Sequence, residues 1–212
     1  NTVTAQAFIT TDLDDNQITA FHPGAMVESH QNKVSSIAES INIAIIAPDG
    51  KDGMTSHAHD CYEKKIPILF DPGQGLPMFN KQELDIFIQQ ASYIALNEYE
   101  AGLLMNVTGL GISQLTSKVE ALIITKGSQG SVVYADKEYV ISPIKVDAAV
   151  DPTGCGDAYR AGLIYGITSQ YSWEKTGKLA SIMGSLKIQS QGGQNHQPST
   201  EQIESLFGSG LE

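Results

Sequence analysis

Apolar residues gather in short runs along this chain, and the intervals between the runs have helical length. Ile43-Ala44-Ile45-Ile46-Ala47, Ile68-Leu69-Phe70, Tyr93-Ile94-Ala95-Leu96 and Leu122-Ile123-Ile124 are continuous rather than alternating. Such runs fit strands buried on both faces. Helices are predicted ahead of the first run over 33–40, and between the runs over 53–65, 81–91, 97–106 and 111–119. Within 81–91, Leu84, Phe87, Ile88 and Ala91 recur at three- and four-residue spacing. Ser131–Ala135 and Glu138–Ser142 read as a hairpin through Asp136-Lys137. The last third is helical over 156–168, 174–189 and 199–207, with Ser199 or Thr200 as the final cap. Ahead of all this, residues 3–11 and 17–21 alternate as two strands, with Asp14-Asp15-Asn16 as turn chemistry.

The pattern predicts an α/β fold: an open, doubly wound, mostly parallel sheet with helices on both faces. In such sheets ligands bind beyond the carboxyl ends of the strands. Asp71, Asn97 and Thr125 stand at those ends.

Composition narrows the partners. The 212 residues are 41% hydrophobic and 17% charged, which fits an ordered globular chain. There is no apolar run of about 18 residues and no secretory signal pattern, so neither a membrane span nor export is expected. The net charge is −11 with no basic stripe, which disfavours a nucleic-acid partner. Cys61 and Cys155 are the two cysteines, read as reduced thiols in a cytoplasmic protein. Asp12, Asp14 and Asn16 mimic half a calcium loop. Gln17 and Pro23 stand where that loop needs Gly and Glu, so no metal site is read there. His57 and His59 are two apart on a predicted helix and do not share a face.

The chemistry concentrates in Asp151-Pro152-Thr153-Gly154-Cys155-Gly156-Asp157. A glycine turn running into a helix offers unpaired N–H groups to an anion. Asp157, set beside that cradle, suits proton removal from an incoming hydroxyl. A plain helix cap is the alternative. Cys155 near a helix start is open to a lowered thiol pKa, but a small residue filling a tight turn is the simpler reading. Arg160 either steadies Asp157, reaches phosphate or is a surface residue. Asn97 and Glu100 share a helical face, fit for hydrated Mg²⁺ or for a capping box. In Thr125-Lys126-Gly127-Ser128-Gln129-Gly130, two glycines let backbone approach a nucleotide, though a hairpin entry has the same look. Asp71-Pro72-Gly73-Gln74 is a turn with a carboxylate at a strand end.

The D-x-x-G-x-G-D run resembles the signature of the ribokinase-like (PfkB) carbohydrate and nucleoside kinases. That resemblance implies an anion hole at Gly154, Cys155 and Gly156, with Asp157 as the base. It implies a Mg²⁺-tuning N-x-x-E at Asn97 and Glu100, and ATP contacts at Thr125, Lys126, Gly127 and Gly130. It further implies Asp71 on the phosphate and metal side, through water, and a monovalent cation such as K⁺ at Asp151 and Thr153. An adenine pocket falls around Gly184, Ile188, Gln191, Gly192, Gly193 and Asn195. The adenosine kinase-like branch is the most similar, which implies transfer of the γ-phosphoryl group of ATP to a nucleoside 5′-hydroxyl. A sugar kinase, or a nucleotide-binding fragment that is catalytically incomplete, are the alternatives. The likeness covers the family's later two-thirds, after about another hundred residues. Residues 1–30 correspond to the last lid strands and the return to the core, and 31–212 to the nucleotide-binding domain. A sheet edge left open would favour a homodimer or another self-association.

Overall fold

Each continuous apolar run becomes a strand, and every predicted helix but one forms, in the computed structural model of the chain. The structure describes residues 2–11 and 17–208, so the expected Asp14-Asp15-Asn16 turn and the Asp12–Asn16 half-loop lie outside the described residues. The chain divides into two compact units, Asn1–Ala91 and Ser92–Glu212.

In the first unit, β1 (Gln6–Thr11) and β2 (Gln17–His22) pair antiparallel, with Phe8 opposite Ala20. Phe8, Ile9, Ile18 and Phe21 of this hairpin are exposed. β3 (Ala44–Ile46), α1 (Lys51–Glu63), β4 (Ile68–Phe70) and α2 (Lys81–Gln90) follow. β3 and β4 run parallel, Ile46 beside Phe70. Phe70 stacks on Phe87 of α2 at 4.8 Å, and Phe79 meets Phe87 edge-on at 4.9 Å. Asn80 starts α2 with a full capping box to Glu83.

The helix predicted over 33–40 does not form. A three-residue 3₁₀ segment, Val34–Ser36, takes its place, after a longer one over Gly24–Gln31. Val34 and Ile37 are β-branched, and Ser35 and Ser36 favour caps over helix interiors. The segment's polar groups find partners on α1 and its C-cap residue instead. The Ser35 N–H donates to Asp60, and Lys64 donates to the carbonyls of Val34 and Ser35.

In the second unit, β5 (Tyr93–Asn97), α3 (Glu98–Thr108), α4 (Ile112–Thr116) and β6 (Ala121–Thr125) come first. β7 (Ser131–Tyr134), β8 (Glu138–Ile141), α5 (Cys155–Thr168), α6 (Trp173–Ile188) and α7 (Thr200–Phe207) complete it. β5 and β6 are parallel, while β6–β7 and β7–β8 are antiparallel. Ile94, Ala95, Leu96, Leu122 and Ile123 are fully buried, as continuous apolar strands require. α5 and α6 pack backbone to backbone: a Cβ on Gly162 would lie 2.6 Å from Ala180 Cα. α7 seats Phe207 against Leu179 and Ile182, and Lys178 donates to the Phe207 carbonyl at 2.5 Å. Strands alternating with flanking helices place the chain in the α/β class, as the apolar pattern predicts. Among the described residues, no helix is long and apolar enough to cross a membrane.

Candidate active site

The glycine turn sits at the start of α5, as its sequence predicts. Gly154 is the N-cap, at φ 84° and ψ 2°, in the left-handed region. A side chain there would also collide, since a Cβ would lie 2.8 Å from the Gly193 carbonyl oxygen. The helix begins when the Ala158 N–H donates to the Gly154 carbonyl at 3.0 Å. The Cys155 N–H is turned back onto the Pro152 carbonyl at 3.1 Å. Among the described residues no acceptor takes the N–H groups of Gly154 or Gly156. Two donors therefore lie at the positive end of a 14-residue helix. Asp157 stands in the first turn of that helix and is exposed.

Asp151, which opens the turn, is 8% exposed and ringed by donors. Its Oδ1 accepts from the Thr153 N–H at 2.9 Å. Its Oδ2 accepts from the Gly192 N–H at 2.7 Å and from Gln191 Nε2 at 3.0 Å. The Thr153 and Gly192 amides, then the Thr153 hydroxyl and the nearby Lys187 charge, hold its carboxyl down to about 2. Lys187 Nζ donates to the Asp151 carbonyl at 2.7 Å. The Val150 and Asp151 N–H groups both reach the Ile188 carbonyl, at 2.8 and 3.1 Å. The 190–193 loop and the glycine turn thus form one hydrogen-bonded body.

Cys155 departs from the lowered pKa open to a thiol at a helix start. Burial pushes it up, and the neighbouring Lys187 charge offsets only part of that. Its Sγ donates to the Asp151 carbonyl at 3.8 Å, which fits a small residue filling the turn. Arg160 is buried at 7% exposure, so the surface reading of it does not hold.

The strand-end residues meet in the same unit. Asn97 and Thr125 are register partners at the ends of the parallel strands β5 and β6. Asn97 Oδ1 accepts from the Glu100 N–H, and Glu100 Oε2 accepts from the Asn97 N–H, both at 2.8 Å. This is the capping box of α3. A carboxylate has about four lone-pair sites, so Glu100 keeps capacity for a metal-bound water. That capacity suits Mg²⁺, which retains most of its waters. Among the described residues, no cluster of three or more His, Cys, Asp or Glu would cage a metal directly. After Thr125 the chain turns through a 3₁₀ segment, Gly127–Gln129, closed by Lys126 N–H donating to the Gly130 carbonyl at 2.8 Å. Thr125 pairs with Ser131, whose hydroxyl shares a 2.7 Å bond with Tyr159 of α5. That bond ties the strand-end turn to the helix bearing Asp157.

Of the remaining expected residues, Gly184 lies on α6 beside the Cys155 carbonyl, where a Cβ would sit at 3.7 Å. Asn195 donates to the Gln191 carbonyl at 2.8 Å and closes the loop that holds Asp151. Asp71 follows β4 in the first unit, 8% exposed, with its N–H on the Ile46 carbonyl at 2.9 Å. Lys187, Ser131 and Tyr159 are structural partners of the site that sequence reasoning did not single out. Lys187 has the look of a solvated lysine in a last helical turn, and only its burial distinguishes it.

Comparison with known proteins shows the family. The pfkB family carbohydrate kinase pattern matches residues 1–200. A nucleoside kinase of Methanocaldococcus jannaschii is 34% identical over 201 residues, covering 94% of this chain and 66% of the relative. The chain therefore spans about two-thirds of that relative's length. The nucleoside kinase of Burkholderia thailandensis, solved in complex with inosine, is 47% identical with a TM-score of 0.95. The match covers 98% of this chain and 68% of that one. The same enzyme in complex with ADP-inosine gives a TM-score of 0.93, covering 98% of this chain and 65% of that one. With the glycine turn, the exposed Asp157 and a family match over most of its length, this chain belongs to the pfkB family of carbohydrate kinases.

Proposed function

We propose that this chain carries the phosphoryl-transfer machinery of an ATP-dependent nucleoside kinase acting on the 5′-hydroxyl of a purine nucleoside. The observation that carries the reading is Asp157, exposed in the first turn of α5 close in sequence to the N–H groups of Gly154 and Gly156. In-line attack needs a base for the hydroxyl proton and donors for charge growing on the phosphoryl oxygens. Asp157 takes the proton as the nucleoside oxygen attacks the γ-phosphorus and the bond to the β–γ bridging oxygen breaks, releasing ADP. The Gly154 and Gly156 amides donate to the equatorial oxygens, and being preorganised they cost little reorganisation at that moment. Asn97 and Glu100 would hold a hydrated Mg²⁺, which would supply charge neutralisation to the transferred phosphate. Thr125, Lys126, Gly127 and Gly130 are the proposed phosphate and ribose contacts of ATP. Gly184, Ile188 and Asn195 border the proposed adenine side. The likeness to an enzyme solved with inosine and with ADP-inosine supports a purine nucleoside acceptor. The net charge of −11 favours a small ligand over a nucleic acid, and two free thiols fit a reducing cytoplasm.

The test is ADP formation with inosine, adenosine or ribose as acceptor, alongside a titration of ATP binding. Nucleoside-dependent ADP supports the proposal. Preference for ribose would make the protein a sugar kinase, and ATP binding without any acceptor-dependent ADP would overturn the kinase reading. In the active protein, Asp157→Asn should cut kcat by about 10²–10⁴-fold while ATP affinity changes little. Near-normal turnover would remove Asp157 from the base role.

A further inference from the structure

Lys187 is completely buried, and a buried ammonium is retained only when its donors are satisfied. Its partners are main-chain carbonyls from two turns: Asp151 at 2.7 Å and Ser190 at 3.0 Å. Asp151 opens the glycine turn, and Ser190 opens the loop whose Gly193 carbonyl abuts Gly154. The Asp151 carboxylate binds the same two segments from its other side, through Thr153 on one and Gln191 and Gly192 on the other. Family resemblance would put a monovalent cation at Asp151 and Thr153, but the donor set does not fit one. A cation needs oxygen lone pairs turned toward it. Here both carboxylate oxygens accept N–H protons, and the Asp151 carbonyl faces an ammonium.

We infer that the Lys187 ammonium is a built-in cation, which fixes the glycine turn against the 190–193 loop so that no monovalent ion is needed to position it. Lys187 is then a positioning residue. It acts through Asp151 on the direction of the Gly154 and Gly156 N–H groups, and its effect on turnover rests on the kinase reading above. Misplacement of such donors by about 1 Å can cost about 10²-fold in rate.

The experiment compares wild type with Lys187→Ala and the bulkier neutral Lys187→Met, in potassium, ammonium or tetramethylammonium chloride at matched ionic strength. Melting temperature and nucleoside-dependent turnover are measured together. Wild type should keep both in tetramethylammonium, within about twofold for turnover. Folded Lys187→Ala should lose at least about tenfold in kcat, with a smaller change in KM for ATP. Ammonium, which fits between two carbonyls, should raise its melting temperature and restore part of its turnover, while tetramethylammonium does neither. Loss of wild-type turnover or melting temperature in tetramethylammonium would overturn the inference. So would a Lys187→Ala variant with wild-type kcat, or one on which ammonium has no effect. If wild type makes no nucleoside-dependent ADP, the kinase reading fails, and the melting temperatures still decide the built-in cation. If neither variant folds, the wild-type ion exchange decides it.

Discussion

A carboxyl group that accepts several N–H bonds gives up its proton readily, and Asp151 is held at about 2 against an ordinary 3.8. Because its folded value lies below its unfolded one, Asp151 contributes stability at pH above the ordinary value. That contribution is lost as pH falls toward the folded value. Thermal melts of wild type and Asp151→Asn over a pH series should show a wide gap at neutral pH. The gap should close between pH 3.8 and about 2. A gap unchanged through that interval would mean that the ionised carboxylate is not what holds the turn. Asp151 and Asp157 were both legible in the sequence, because a glycine turn entering a helix has a short, local signature. Lys187 was not, since nothing within a few residues distinguishes a buried lysine from a solvated one.

Among the elements, α5 and α6 depend most closely on residue size. Gly162→Ala would press a methyl carbon against Ala180 Cα, and overpacking of this kind costs about 1–3 kcal/mol. Gly102, in the middle of α3, is exposed with nothing within 4 Å of its missing Cβ. Gly102→Ala should therefore stabilise by about 0.4–1 kcal/mol through lost unfolded-state freedom. Urea unfolding of the two variants gives opposite shifts of midpoint if this account holds. Helix boundaries followed the sequence wherever a cap was local, as at Asn80, Asn97 and Ser199. They failed over 33–40, where Asp60 of α1 and Lys64 at its C-cap supply the hydrogen bonds that helical neighbours would have given. The Asn97–Glu100 pair carries two readings at this scale. Its capping box is formed, and the same oxygens retain capacity for a hydrated ion.

Among the described residues several strands keep an open side, β3 among them. Among the described residues β3 pairs within its unit only with β4, and Ile45 on it is 37% exposed. We expect that edge to pair with a second copy or a partner strand. Sedimentation velocity over a range of concentration should show reversible self-association, strengthened by salt that screens the net charge of −11 and abolished by Ile45→Lys. A monomer at every concentration would refute it.

By itself the sequence determined the order and class of the elements, the glycine turn at a helix start and the exposed acid one turn in. These follow from periodicity, caps and steric limits that act over a few neighbouring residues. Folding alone decided that Lys187, 36 positions from Asp151, would bury its charge against that residue's carbonyl. It also decided that Ser131 would tie the strand-end turn to Tyr159. Contacts of that kind arise only when packed helices and strands bring distant backbone together and exclude the water that would otherwise satisfy each group.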